Sequence, residues 1–452
     1  MRLVLLRYHR YFLMLPILTV LLVGCSSGSL PTGVPATSTT ETSIVPVDTP
    51  TCTPTIIPSP TSSPTISPTP TPDVFAAEFP LGDVAYVLPL TIRHITPTRA
   101  VLFFELNQAV EGTLFYQVEG AAAGGELPFA ADAVRHQLTL DVLVPGTTYK
   151  IRVGIPGVDG EFTEPHFLGE KWGPLTVHTP TEMNPLRFGV IGDASFGDSV
   201  TTSLVEQMAA SSLDFVLHTG DVVDETELNA DPFESYAHKY YKTFAPLLQQ
   251  LPVYTVPGNH DYDPDIRWQD EPFYFYAFPP FEDPRIPASG TSQYYAFVME
   301  KLQFIMLDSQ VFFGIAGRDD EQSWLIERLG DDRFQASIAV FHVSPFSSSS
   351  VHRSEGLPVR DSWSPLFQEA NIPLVFSGHT HQYERLQVNN VTYIVSGGGS
   401  SITYAGGELL PQSQVFARKS HFVLVVAYPD RLELTSFSVS GETIDEVEIP
   451  LP

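Results

Sequence analysis

The chain has 452 residues, 40 of them Pro, and sets 24 Lys and Arg against 52 Asp and Glu for a formal net charge of −28. An acidic surface of that size repels polyanions, so nucleic-acid binding is not expected. At 43% hydrophobic and 12% aromatic the chain can bury a core, but proline far above its usual ~5% share predicts that part of it stays outside that core, leaving room for two folded domains.

Residues 1–24 carry Arg2, Arg7 and Arg10, no acid, and an apolar run from Tyr11 to Val23 that is too short to span a membrane as a helix. The run ends in Leu22-Val23-Gly24-Cys25, which resembles the lipobox of bacterial lipoproteins. That resemblance implies a removed signal peptide and an extracytoplasmic, cell-surface protein held to the membrane only by a lipid on Cys25. Cys52 is then the remaining thiol, so no intrachain disulfide is expected. Residues 25–75 are dense in Pro, Thr and Ser and nearly free of charge, which predicts a disordered linker with a reach on the order of 150 Å when extended.

From 80 to 182, short apolar runs such as Ala100–Phe104, Gly112–Val118, His136–Leu140 and Tyr149–Val153 alternate with Gly and Pro. This pattern predicts an antiparallel β-sandwich with no catalytic cluster. Leu143-Val144-Pro145-Gly146-Thr147-Thr148-Tyr149 resembles the tyrosine corner of fibronectin type III domains, and implies a spacer or an element beside the active site.

From 186 to 452, strand-like runs at 186–191, 215–217, 253–256, 304–307, 338–341 and 373–376 alternate with helical periodicities at Val200/Leu204/Met208, Ala237/Tyr240/Tyr241/Phe244/Leu248 and Trp324/Leu325/Leu329. An α/β layer architecture follows, with more sheet from His421 to Glu448. Polar clusters follow the strands: Gly192-Asp193, Gly220-Asp221, Gly258-Asn259-His260-Asp261, His342, and Gly378-His379-Thr380-His381. Ligand loops converge at strand carboxyl ends in such folds, and carboxylate, amide oxygen and imidazole without thiolate suit Zn, Mn or Fe. Each residue alone has an ordinary structural explanation; five clusters in order point to a metal centre. His218 is expected to be structural.

With these motifs, the helix at Trp324-Leu325 and Gly397-Gly398-Gly399 after Tyr393-Ile394-Val395, the chain resembles the metallophosphoesterase (calcineurin-like) superfamily and, within it, the purple acid phosphatases. The resemblance implies an α/β metallophosphoesterase sandwich of two mixed β-sheets flanked by helices, preceded by a small all-β fibronectin III-like sandwich. It implies two divalent or trivalent metal ions (Fe, Zn or Mn) bridged by Asp221, one also held by Asp193 and His381, the other by Asn259, His342 and His379. It makes His260, Asp261 and His352 the candidate catalytic residues, with His260 and His352 touching substrate. Two cations sharing a hydroxide suit phosphoester hydrolysis, and a protonated His260, its pKa raised by Asp261, suits the leaving alkoxide.

The family's metal-binding tyrosine is replaced by Asp224, and the His or Gly near the first Asp by Ser195. Asp224 is therefore a further candidate metal ligand; otherwise that metal is weakly held or absent. The leading expectation is an acid phosphatase-like hydrolase acting on small phosphomonoesters. A phosphodiesterase or nucleotide hydrolase, and a non-catalytic binding protein with a depleted metal site, remain the alternatives.

Overall fold

The computed structural model describes residues 75, 78–157, 160–181, 185–224, 230–263, 267–269, 271–315 and 317–452. The expected signal peptide, Cys25 and the Pro/Thr/Ser-rich linker up to residue 74 lie outside them. Among the described residues no helix is long and apolar enough to cross a membrane.

Residues 81–178 are built from strands, running in spatial order Gly124–Phe129, Gly112–Val118, Thr148–Pro156, Phe162–Phe167, Leu81–Ile95, Ala100–Leu106 and Arg135–Leu140. The antiparallel expectation needs one correction. Leu81–Ile95 pairs antiparallel with Ala100–Leu106 but parallel with Phe162–Phe167, through Leu81↔Glu164 and Ala85↔His166. At 15 residues the strand is long enough to serve two neighbours, and its register shifts let it turn from one to the other. The Tyr149 hydroxyl accepts the Val144 N–H at 2.9 Å, fixing the 143–149 turn.

The α/β part holds two mixed sheets. In one, Val253–Thr255, Phe215–His218 and Leu186–Ile191 run parallel and continue antiparallel into His421–Ala427, Arg431–Ser438 and Thr443–Pro450. The other orders Tyr295–Met299, Leu302–Met306, Ala336–Val343, Leu374–Gly378, Val391–Ser396, Tyr383–Val388 and Ser413–Ala417. Phe188 and Phe215 of the first meet Phe304 and Phe376 of the second, with ring centroids 5.2–6.4 Å apart across the pairs. Strand alternation then sends Ile305, Phe341 and Val375 to the opposite face, where Trp363 and Phe367 of helix Leu357–Glu369 cover them. Burial on both faces explains why these strands read as unbroken apolar runs.

The periodicity at 237–248 predicts one regular helix, and here the structure differs. Helix Pro232–Tyr236 passes into a π-helical stretch, Ala237–Lys242, before Thr243–Leu248. Pro246 has no N–H to give to the carbonyl four residues earlier, which removes one rung of the regular ladder. Lys239 in the π stretch reaches the Asp224 carbonyl at 2.7 Å. The β part and the α/β part are stitched by His94, whose ring bonds the Tyr254 hydroxyl at 2.8 Å and lies 3.5 Å from the Asp283 carboxylate.

Candidate metal centre

The residues after the parallel strands turn sharply. Asp193, Asp221 and His379, together with His352, all take positive φ (56°, 52°, 67° and 61°). That conformation costs a non-glycine residue about 1–2 kcal/mol, and such strain gathers at functional sites. Glycine makes the approach possible: a Cβ on Gly258 would lie 2.1 Å from Asp221 Oδ1, and one on Gly378 2.5 Å from Asp193 Oδ2.

Asp193, Asp221 and His342 are fully or almost fully buried, and one ligand atom from each lies within 4.8 Å of the others. His342 Nε2 is 3.3 Å from Asp221 Oδ2 and 3.1 Å from Asn259 Oδ1, while Nδ1 faces the Thr219 carbonyl at 2.9 Å. A carbonyl only accepts, so Nδ1 carries a hydrogen and Nε2 is the nitrogen turned to the cluster. His381 Nε2 lies 3.3 Å from Asp193 Oδ1, its Nδ1 faces the Ile402 carbonyl at 3.2 Å, and its ring stacks on Tyr404 at 4.2 Å. The His379 backbone N–H donates to Asp193, and its ring lies 5.0 Å from that of His342. The six expected metal-holding residues other than Asp224 are thus joined by direct contacts.

The donor set fits cations. Among the described residues the ion-pair partners of Asp193 and Asp221 are histidines, not Lys or Arg. Burial would raise the Asp221 carboxyl, but His342 foremost, then His260 and His379, hold it far below the usual carboxylate range. Burial likewise opposes charge on His342, yet Asp221 pushes it up to about 9. Lone pairs therefore converge on a buried spot that favours positive charge, as a carboxylate-imidazole metal centre requires.

Asp224 meets His260: its Oδ1 is 3.3 Å from His260 Nδ1. His260 Nε2 is 4.0 Å from Asp221 Oδ2. Burial would lower the His260 imidazolium, but Asp224, then Asp221 and last Asp261 outweigh it and raise the ring to about 10. Asp261, expected to raise the His260 pKa, contributes least of the three carboxylates; it is almost fully buried and accepts the N–H groups of Gly258 at 2.8 Å and Val222 at 3.1 Å. It ties the Asp221 turn to the Asn259 turn.

His352 is partly exposed, its ring 4.8 Å from that of His379. His218 is fully buried against Phe244 with both ring nitrogens unpartnered. Ser195 is buried, and its carbonyl accepts the Asp224 N–H at 3.2 Å.

Two site residues escape the motif reading. Glu355 bonds both His352 and His379, and Tyr404 walls His381 from a loop whose only sequence signal is Gly and Ser. Glu384 accepts the Ser348 N–H at 2.7 Å and the Gln382 amide at 3.2 Å, so the segment after His381 also fixes the loop leading to His352.

Residues 186–383 match the calcineurin-like phosphoesterase family model. Over 296 residues the chain is 26% identical to the probable purple acid phosphatase 20 of Arabidopsis thaliana, covering 61% of this chain and 62% of that protein. It is 27% identical to the phosphoenolpyruvate phosphatase of Allium cepa, over 58% of this chain and 53% of that one. The chain thus spans between half and two thirds of the length of these relatives. The structure of purple acid phosphatase PPD1 from yellow lupin (Lupinus luteus) seeds superimposes with a TM-score of 0.64 at 16% identity, over 80% of this chain and 74% of that one, and shares the fold. Residues 186–383 thus match the calcineurin-like phosphoesterase model, and purple acid phosphatases are among the proteins to which the chain is similar.

Proposed function

We propose that the chain is a metal-dependent phosphatase of phosphomonoesters that works outside the cytoplasm, anchored by a lipid on Cys25. The convergence of Asp193, Asp221, Asn259, His342, His379 and His381 at the strand ends carries this reading. These side chains would hold two ions of Fe, Zn or Mn character, which when bound supply Lewis acidity to phosphoryl oxygens and lower the pKa of water. His342 is oriented by the Thr219 carbonyl. His260, kept charged by Asp224 at the rim, is the group to grip a phosphoryl oxygen or give a proton to the leaving alkoxide. Its positive charge suits the extra negative charge of a monoester, and one relative is named for phosphoenolpyruvate.

Export and anchoring are supported by the basic start, the short apolar run and Leu22-Val23-Gly24-Cys25. The Tyr149 hydroxyl bond to Val144 favours a fibronectin III-like character for the β part, which serves here as a wall beside the α/β part. The test is a comparison of kcat/KM for p-nitrophenyl phosphate and bis-p-nitrophenyl phosphate on metal-loaded protein. A monoester preference of tenfold or more is expected; preference for the diester, or no turnover of either, would reject the assignment.

A further inference from the structure

The carboxylate of Glu355 touches two histidines at once. Oε2 lies 2.6 Å from His379 Nε2 and Oε1 lies 2.9 Å from His352 Nδ1. The Glu355 N–H donates to the His352 carbonyl at 3.0 Å, and helix Leu357–Glu369 begins two residues later, so its backbone is held on both sides. An ionised carboxylate only accepts, so each of those nitrogens carries its hydrogen. The free lone pair of His379 is then on Nδ1 and that of His352 on Nε2.

The three side chains also lie close enough to hold an ion themselves. Their spacing decides against that. Two ligands of one tetrahedral ion at ~2.0–2.2 Å stand roughly 3.3 Å apart, whereas 2.6 and 2.9 Å are hydrogen-bond distances.

We propose that Glu355 is a positioning residue that couples the metal centre to the substrate side, fixing with one carboxylate the tautomer of His379 and that of His352. The proposal rests on the metal-dependent reading above. Carboxylates that accept from metal-holding histidines orient the ring and raise its basicity, and their loss costs roughly 10–100-fold in metal affinity. Here the same loss also frees the second histidine.

The test compares Glu355→Ala, His352→Ala and the double variant. Zn²⁺ affinity of the apoprotein is measured by chelator competition, and KM is measured with p-nitrophenyl phosphate at saturating metal. Glu355→Ala should weaken one ion about 10–100-fold and raise KM. His352→Ala should raise KM and leave affinity as in wild type. The double variant should show the affinity of Glu355→Ala and the KM of His352→Ala alone. Glu355→Gln keeps the side-chain volume but accepts on one oxygen only, so it should retain one of the two functions.

Wild-type affinity in Glu355→Ala would overturn the coupling, as would KM effects that multiply in the double variant or the loss of a third ion. No defect in Glu355→Gln would also count against it. A wild-type protein that binds no Zn²⁺ would overturn the metal centre beneath it, a failure seen before any variant is made.

Discussion

Gly258→Ala perturbs the geometry of the centre while leaving every candidate ligand residue in place. The added methyl would lie 2.1 Å from Asp221 Oδ1 and 2.3 Å from the Asp221 backbone nitrogen, where ordinary contacts begin at 3.4 Å. Backbone or carboxylate must therefore move by about 1 Å, and a shift of that size at a reacting centre costs about 10²-fold, or roughly 2.7 kcal/mol of transition-state stabilisation. The turn is also held by the Gly258 N–H to Asp261, so the displacement cannot be absorbed freely. Steady-state kinetics with p-nitrophenyl phosphate, beside circular dichroism to confirm the fold, would read the effect. Gly330→Ala is the control, because its φ is −82° and the nearest atom to its added methyl is at 3.4 Å. Near-wild-type kcat/KM in Gly258→Ala with unchanged metal content would refute the reasoning.

His260→Ala is expected to lower kcat about 10²–10⁴-fold with metal content intact, and Asp224→Ala to lower it less, also with metal retained; metal lost from Asp224→Ala, read by elemental analysis, would place Asp224 among the ligands. Asp283 offers a pH test away from the centre. Burial opposes its charge, but the His94 N–H and the two-pronged Arg285 guanidinium hold its carboxyl well below the usual range. His94 is itself lowered by burial and neutral at pH 7, so Arg285 is the charged partner. A depressed folded-state pKa stabilises above the unfolded value of ~3.9 and is lost as pH falls toward the folded one. Asp283→Asn should therefore destabilise by about 1.5–3 kcal/mol at pH 7, and the gap to wild type in urea unfolding should narrow below about pH 4; an equal gap at pH 7 and pH 3 would contradict this.

The strand runs and the polar residues following them were legible because buried parallel strands are apolar throughout and their ends carry the turns. Asp193, Asp221 and the 378–381 segment announce themselves in that way. Side-chain direction does not follow from spacing. Asp224 stands where the resemblance led one to expect a metal ligand, and its carboxylate meets His260, while Asp261 turns inward to backbone N–H groups. Glu355 lies three residues after His352 in a loop with no period, so its link to His379, 24 residues on, exists only in three dimensions. The π-helical stretch at 237–242 and the parallel pairing of Leu81–Ile95 likewise depend on long-range partners rather than local pattern.

The central claim is that the cluster around Asp221 binds two ions on which hydrolysis depends. Elemental analysis of purified protein, wild type and Asp221→Asn, coupled to p-nitrophenyl phosphate turnover before and after chelation, tests it most directly. The expected result is close to two ions per wild-type chain, lost with activity on chelation and restored with it, and both ion content and turnover sharply reduced in Asp221→Asn, as follows if the Asp221 carboxylate serves both ions. Turnover that survives metal removal, or an Asp221→Asn protein with wild-type ion content and rate, would contradict the account.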